Sequence, residues 1–179
     1  MHNDIQSVLV SESEIKAICE RLGKQLTKDY AGKLPLFVGL LKGCMPFMAD
    51  LTKHVELKIE IAYMSVSSYH GTIASSGDVN IKMDLDISIK DRDVVIVEDI
   101  VDTANTLKTI TELFNHRGAS SVKIVTLLDK PEGRQHHFIP DYIGTTIPKA
   151  FVVGYGLDYN EFYRNLPYVG ILKEDVYRD

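Results

Sequence analysis

Apolar residues recur at helical spacing in three parts of the chain. The first pattern predicts a helix over 13–30, which Ser11 or Ser13 can cap. The same spacing predicts a second helix over 46–54 and a third from about 103 to 118. Each pattern leaves one face polar, so each helix is expected to pack one side against a core.

Three short runs are apolar without alternation, at 34–41, 93–97 and 121–128. Runs of this kind are typical of parallel strands that are buried on both faces. Because these strands alternate with amphipathic helices, the pattern predicts an α/β fold with a mostly parallel sheet. The carboxyl ends of such strands meet at one edge, where ligands bind.

Two further segments, 55–61 and 79–87, alternate apolar and polar residues and predict a half-buried antiparallel hairpin. The segment between them, 67–78, is rich in Ser and Gly and is expected to be a loop that serves as a lid. After residue 129 the alternation of buried strands and amphipathic helices ends. FVVGY and YVGIL predict short strands of an appendage. No linker or repeat divides the chain, so residues 1–179 are expected to form one domain.

Composition narrows the class of protein. The chain has 179 residues, a formal net charge of −5, 45% hydrophobic residues and two cysteines without metal or redox spacing. An acidic chain with no basic block is not expected to bind nucleic acid. No signal peptide or membrane-length apolar run is visible, so a cytoplasmic protein with reduced thiols is expected.

The segment VVIVEDIVDTANTLKTI, at 94–110, carries the strongest chemical signal. A buried strand is followed by Glu98 and Asp99, and then by a helix start rich in small and hydroxyl residues. Unpaired amides and the helix dipole make such a start a cradle for anions. The alternative from composition alone is that these acids only cap the helix.

Two other patterns are weaker. Asp84 and Asp86 resemble the Asp-x-Asp of haloacid-dehalogenase phosphatases, but they alternate with apolar residues and are expected on an exposed strand face. The adjacent pair His136 and His137 is expected in a surface loop and not in a metal site.

The segment at 94–110 resembles the phosphoribosyl-diphosphate signature of the type I phosphoribosyltransferases. Four more segments occur in the order and spacing of the hypoxanthine-guanine phosphoribosyltransferase family. They are LLKGCMPFMADL at 40–51, SSY at 67–69, LLDKP at 127–131 and FVVGYGLDYNEFYRNLPYVGIL at 151–172. The resemblance covers nearly the whole chain.

The resemblance implies a fold and a reaction. The fold is that of the type I phosphoribosyltransferases, with a flexible hairpin lid and a purine-binding hood at about 130–179. The reaction is a Mg²⁺-dependent purine salvage step that transfers 5-phosphoribose from phosphoribosyl diphosphate (PRPP) to N9 of hypoxanthine or guanine. The resemblance also implies a homodimer or homotetramer that acts in the cytoplasm.

The family's site residues map onto this sequence motif by motif. The PRPP and 5′-phosphate are assigned to Glu98, Asp99, Asp102, Thr103, Ala104, Asn105 and Thr106, with Asp102 as the proton-transfer group. The diphosphate is assigned to Leu41, Lys42, Gly43 and Arg164. The purine is assigned to Lys130, Phe151, Val152 and Asp158, the metal to Glu98, Asp99 and Asp158, and the lid to Ser68 and Tyr69.

Two positions call for comment. The family usually has Gly where this chain has Ala104, and we expect Ala104 to lie in the first turn of the helix, where its methyl is harmless. The family often has a cis peptide at the Leu41-Lys42 bond, which no sequence pattern can predict. The rival function is a nucleotide-binding regulator without turnover, which the net charge and the presence of Asp102, Lys130 and Arg164 disfavour.

Overall fold

The computed structural model describes residues 2–68, 79–134 and 137–178. Its strands are β1 (Ile5–Val10), β2 (Leu36–Leu41), β3 (Glu60–Ser68), β4 (Val79–Met83), β5 (Asp93–Val101), β6 (Ser121–Asp129), β7 (Tyr142–Thr146), β8 (Val152–Val153) and β9 (Val169–Leu172). Its helices are α1 (Glu12–Asp29), α2 (Met45–Thr52), α3 (Asn105–His116) and α4 (Glu174–Tyr177). None of these helices is long and apolar enough to cross a membrane.

The central sheet has six strands in the order β4-β3-β2-β5-β6-β7. All neighbours are parallel except β3 and β4, which are antiparallel and pair Ser68 with Val79. The mostly parallel α/β sheet and the antiparallel hairpin are as the sequence predicts. Tyr69 and most of the predicted lid lie outside the described residues.

Residues of β2 and β5 point alternately into two cores. Phe37 packs with α1 and α2 on one face of the sheet, whereas Val38 packs with α3 on the other. Both side chains are fully buried. This two-sided burial accounts for the unbroken apolar runs, because neither face of these strands meets water.

The start of α1 settles which serine caps it. The Ser11 hydroxyl accepts a hydrogen bond from the Glu14 backbone N–H at 3.3 Å, and the Glu14 carboxylate accepts one from the Ser11 N–H at 2.8 Å. This reciprocal pair is a capping box, which satisfies two amides at the helix start. The helix therefore begins at Glu12, directly after Ser11, and Ser13 lies in its first turn.

The two strands of the predicted hairpin are wrong in their bounds. Residues 55–59 are not a strand, because Val55 is buried under the α1–α2 side of the sheet and the pairing with β2 starts only at Glu60. The strand predicted over 79–87 ends at Met83, since Asp84 turns away to form a two-bond ion pair with Arg117.

A second, antiparallel sheet has the order β1-β9-β8. The sequence predicts β8 and β9 but not β1, whose Ile5–Val10 segment pairs along β9. The sequence also misses β7, which extends the central sheet beside β6. The small sheet therefore joins the N-terminal strand β1 to β8 and β9.

Candidate active site

The expected site residues gather at the carboxyl ends of β2, β5 and β6. Those assigned to the diphosphate and the metal, together with Thr106, border an open cavity of about 720 Å³. The residues that line it are Leu40, Leu41, Lys42, Gly43, Val66, Ser67, Glu98, Asp99, Thr106, Asp158, Glu161 and Arg164. Parallel strands thus bring segments that are far apart in sequence to one edge of the sheet.

The turn after β2 is tightly enclosed. Its Leu41-Lys42 peptide bond is cis, which the sequence alone leaves open. A Cβ atom on Gly43 would overlap the Asp99 carboxylate, and one on Gly156 would overlap the Gly43 carbonyl oxygen. The turn is therefore held between the end of β5 and the loop after β8, and only glycine fits at these two contacts.

Glu98 and Asp99 lie near the end of β5 and not beyond it, because the strand continues to Val101. Burial raises the pKa of the Asp99 carboxyl from 3.8 to about 6, against the Ile100 N–H that donates to it at 2.8 Å. Burial and the neighbouring Asp99 charge raise the pKa of Glu98 well above its usual value. Both acids therefore lie where positive charge would be favourable.

The phosphate cradle begins later than the sequence predicts. Helix α3 starts at Asn105, and Ala104 is the residue before it, with φ 66° and ψ 7°. The expectation that Ala104 lies within the first helical turn is therefore wrong, because this position takes the left-handed conformation in which a side chain costs about 1–2 kcal/mol. Thr106 borders the cavity, and the Thr103 hydroxyl accepts from the Asn105 N–H at 3.5 Å.

Asp102 and Lys130 form an ion pair. The Lys130 side chain is 14% exposed and the Asp102 side chain 41% exposed, so the lysine is the more enclosed partner of the pair. The Lys130 N–H donates to the Val101 carbonyl at 3.0 Å, and a Cβ on Gly133 would overlap the Asp102 carboxylate. The residues expected to move a proton and to contact the base are thus direct neighbours.

Arg134 holds the backbone on which Asp102 lies. No sequence motif indicates this role. Its guanidinium donates to the carbonyl oxygens of Val101 at 2.7 Å, Asp102 at 2.6 Å and Phe138 at 2.9 Å, and it pairs with the Asp129 carboxylate. The side chains of Arg134 and Asp129 are 12% and 9% exposed. Since a planar guanidinium can serve several acceptors at once, one largely enclosed side chain links the ends of β5 and β6.

Phe151 and Lys130 border a second cavity of about 430 Å³. Phe151 is 40% exposed and precedes β8, where Val152 is buried. The Tyr177 ring, on α4, stacks on Phe151 with centroids 4.7 Å apart and planes at 20°, and Tyr159 meets Phe151 edge-on at 5.7 Å. Tyr177 is a second residue that sequence reasoning missed, because it lies beyond the matched motifs.

The loop after β8 carries Asp158 and Arg164, which form an ion pair of 2.8 Å. Arg164 also donates to the Gly156 carbonyl at 2.8 Å, while its Nε is buried without a partner. Glu161, which the sequence did not single out, lies 2.6 Å from Lys42 and 3.3 Å from Arg164. The two cations expected to bind diphosphate therefore share one carboxylate.

The remaining sequence candidates lie elsewhere or outside the described residues. Ser68 is the last residue of β3, while Tyr69 and His136 fall in the ranges that the structure leaves out. Asp84 is paired with Arg117 at 2.6 Å. The expectation that Asp84 and Asp86 lie on a strand face is wrong, because β4 ends at Met83.

The acids at the cavity fit a magnesium ion that is carried by a phosphate ligand. Residues 2–68, 79–134 and 137–178 hold no group of three or more His, Cys, Asp or Glu that could bind a metal unaided. Mg²⁺ commonly takes one or two carboxylates and completes its shell with water and substrate phosphates. Asp99, with its raised pKa, and Asp158 border the same cavity and offer such oxygen atoms.

The fold and the site define a phosphoribosyltransferase. A family model described as the phosphoribosyl transferase domain matches residues 7–160. A hypoxanthine-guanine phosphoribosyltransferase from Streptococcus pneumoniae is 60% identical over 177 residues, which cover 99% of this chain and 98% of the relative. The chain belongs to the hypoxanthine-guanine phosphoribosyltransferase family, which confirms the resemblance of its motifs.

Solved structures agree with this assignment. The crystal structure of a hypoxanthine phosphoribosyltransferase from Staphylococcus aureus superposes with a TM-score of 0.96 at 54% identity, covering 100% of this chain and 97% of that one. A Trypanosoma cruzi hypoxanthine phosphoribosyltransferase gives a TM-score of 0.94 at 37% identity, covering 99% and 96%. The type I phosphoribosyltransferase fold predicted from the sequence is confirmed.

Proposed function

We propose that this protein transfers 5-phosphoribose from PRPP to N9 of hypoxanthine or guanine and releases diphosphate. The observation that carries the proposal is the position of Lys130, which pairs with Asp102 and borders the same cavity as Phe151. An ammonium donates hydrogen bonds and accepts none, so it suits the keto oxygen of a 6-oxopurine and opposes the amino group of adenine. Phe151 offers the base an aromatic face, and the backbone of Val152 can read its edge.

The phosphoribosyl part of PRPP is assigned to the end of β5 and the start of α3. Amides at the start of α3 and the hydroxyls of Thr103 and Thr106 bind the 5′-phosphate. The left-handed conformation of Ala104 leads the chain into this helix, which begins at Asn105. Glu98 and Asp99 accept hydrogen bonds from the ribose hydroxyls. Leu41, Lys42, Gly43 and Arg164 bind the diphosphate.

The chemical step breaks the bond between the sugar C1′ and the diphosphate oxygen, which leaves with the electron pair. The purine N9 lone pair then forms the new bond to C1′, and Asp102 takes the proton from N7. Lys42 and Arg164 stabilise the departing negative charge. Ser68 and Tyr69, at the lid, exclude water from the cationic sugar.

Magnesium, when bound with the substrate, neutralises phosphate charge. Glu98, Asp99 and Asp158 are the residues that would hold it, directly or through water. We place the enzyme in the cytoplasm, where its two free cysteines, Cys19 and Cys44, stay reduced. We further propose a homodimer or homotetramer, which light scattering of the purified chain would test.

The deciding experiment is turnover with PRPP and Mg²⁺ on hypoxanthine, guanine, xanthine and adenine. We expect hypoxanthine and guanine to be converted and adenine to be rejected. No activity on any 6-oxopurine would overturn the proposed function, and a preference for adenine would overturn the role of Lys130. A nucleotide-binding regulator would instead bind nucleic acid tightly at moderate salt and show no turnover.

The role of Asp102 has its own test. We expect Asp102→Ala to lower kcat by at least about a hundredfold, the range typical of a lost general acid or base. Binding of PRPP, measured by calorimetry, is expected to change much less. An unchanged kcat would remove Asp102 as the proton-transfer group.

A further inference from the structure

Glu161 bridges the two cations that the proposed function assigns to diphosphate. Its Oε2 lies 2.6 Å from the Lys42 Nζ, and its Oε1 lies 3.3 Å from the Arg164 Nη2. Two oxygens of one anion therefore contact two positive groups across the cavity. A diphosphate, with more oxygens and more charge, would make the same contacts.

The backbone holds Glu161 in this place. Its N–H donates to the Asp158 carboxylate at 2.9 Å, and an isolated bridge pairs Tyr159 with Phe162. Asn160, Glu161 and Tyr163 all take left-handed conformations, with φ of 51°, 69° and 72°. Side-chain-bearing residues keep such conformations only where the surrounding structure fixes them. The loop therefore holds the Glu161 side chain at the border of the cavity.

The ion pairs with Lys42 and Arg164 keep the Glu161 carboxyl ionised, but they can still separate when another anion binds the two cations. Hydrogen bonding to Lys42 and the charge of Arg164 lower the pKa of the Glu161 carboxyl. The Glu161 and Lys42 side chains are 63% and 62% exposed, and ion pairs this open to water separate at little cost. Arg164 is the fixed partner, since it keeps Asp158 and the Gly156 carbonyl at 2.8 Å.

We propose that Glu161 is an internal placeholder for diphosphate. It binds Lys42 and Arg164 while the site is empty, gives way when PRPP enters, and returns as diphosphate leaves. This role rests on the proposed function, and it makes Glu161 a competitor that weakens diphosphate binding and favours product release. A residue that merely positioned Lys42 would have the opposite effect, because its removal would weaken binding.

The sign of one measured change therefore tests the proposal. Calorimetry with inorganic diphosphate and saturating Mg²⁺ is compared for the parent chain, Glu161→Gln and Glu20→Gln. Glu20 is a matched control, because it is an exposed acid of α1 paired with Lys24 at 2.7 Å and its change alters the net charge equally. We expect Glu161→Gln to bind diphosphate about two- to fivefold more tightly, the range that exposed ion pairs support, and Glu20→Gln to match the parent.

Two further measurements separate the outcomes. The advantage of Glu161→Gln is expected to shrink as NaCl is added, because salt screens the competing pairs. Equal or weaker diphosphate binding by Glu161→Gln, in chains that still convert hypoxanthine with PRPP, would overturn the placeholder and leave the proposed function standing. A parent chain that neither binds diphosphate nor turns over would overturn both.

Discussion

The Cα of Gly43 faces the carboxylate of Asp99, with no room between them for a methyl group. This contact joins the turn that follows β2 to the acidic end of β5, so each element limits the position of the other. Any side chain at residue 43 must move either the turn or the carboxylate.

We expect Gly43→Ala to lower kcat/KM for PRPP by about a hundredfold, because a displacement near 1 Å can cost that much in a positioned site. The thermal unfolding midpoint is expected to fall less than in a variant of the core, because Asp99 borders the open cavity and its carboxylate can move into it. Gly39→Ala is the matched control, because its new methyl would meet the Cys44 Sγ at 2.8 Å and the Tyr63 ring at 2.9 Å inside the fold. That variant should lose stability, and the reverse pattern would contradict the contact with Asp99.

The left-handed conformation of Ala104 predicts an unusual response to glycine. Ala104→Gly removes about 1–2 kcal/mol of backbone strain but loses a buried methyl worth about 0.8 kcal/mol. Ala49 is an exposed residue inside α2, where the same change has no strain to relieve and costs about 1 kcal/mol.

The cost at Ala49 is mainly the flexibility that both chains gain when unfolded, so we expect Ala104→Gly to be more stable than Ala49→Gly by about 0.2–1.2 kcal/mol in urea unfolding, the strain removed minus the methyl lost. The comparison cancels that shared term. Ala104→Gly unfolding more easily than Ala49→Gly would show that position 104 carries no strain.

The raised pKa of Asp99 predicts a pH-dependent stability. The unfolded chain loses the Asp99 proton near pH 3.8, whereas the folded chain holds it until about pH 6. Between these values the folded state binds more protons, so this group lowers the free energy of unfolding as the pH rises. Asp99→Asn removes the charge and keeps an oxygen for the Ile100 N–H.

We expect the stability difference between Asp99→Asn and the parent chain to grow from pH 4 to 6 and then to level off. Urea unfolding at four or five pH values would measure it. A difference that stays constant over this window would mean that Asp99 titrates at its ordinary pKa.

Arg134 predicts a coupled loss of stability and turnover. Lysine keeps the charge but cannot serve Val101, Asp102, Asp129 and Phe138 together, so we expect Arg134→Lys to cost about 2–4 kcal/mol of unfolding free energy. Because Asp102 loses a backbone restraint, kcat should fall more than the KM for PRPP rises.

The control for Arg134 is Arg117→Lys. Arg117 makes two bonds of 2.7 and 2.6 Å to Asp84, but at 32% and 44% exposure the pair lies in water. We expect a loss of at most about 1 kcal/mol there, with unchanged kinetics. Equal effects of the two variants would show that Arg134 has no special role.

The stack of Tyr177 on Phe151 predicts a change that is selective for the base. Since aromatic pairs contribute about 0.5–1.5 kcal/mol, Tyr177→Leu should raise the KM for hypoxanthine about two- to tenfold and leave the KM for PRPP unchanged. Tyr177→Phe retains the ring and should behave like the parent chain. Equal rises in both KM values would indicate a general disturbance of the hood.

The sequence predicts the elements that are specified locally. Helix α1 was expected within one residue at either end, because its apolar spacing and its capping serine both lie in the segment itself. The buried strands β2 and β5 were evident for the same reason. Strand β1 was missed because its pairing partner, β9, is more than 150 residues away and nothing within Ile5–Val10 indicates it.

The sequence predicts the site residues that belong to matched motifs. It misses those whose role depends on contacts made in the folded chain. Lys130 and Phe151 came from matched segments, whereas Arg134 acts through carbonyl oxygens that no motif records. The conformation of Ala104 was predicted wrongly because alanine is a good helix former, whereas the structure has left-handed backbone at this residue. Glu161 lay inside a matched segment, but its role depends on two cations brought in by the fold.

The pairing of β1 with β9 has a consequence for how the protein is made. Synthesis runs from the N-terminus, so Ile5–Val10 leaves the ribosome long before Val169–Leu172 exists to pair with it. The strands of the central sheet are complete by Thr146, whereas β8, beside Phe151, must also wait for β9. A nascent chain can therefore assemble the edge to which we assign the sugar phosphate before it has the strand beside Phe151, to which we assign the base, and we expect it to become active only when its last strand has been made.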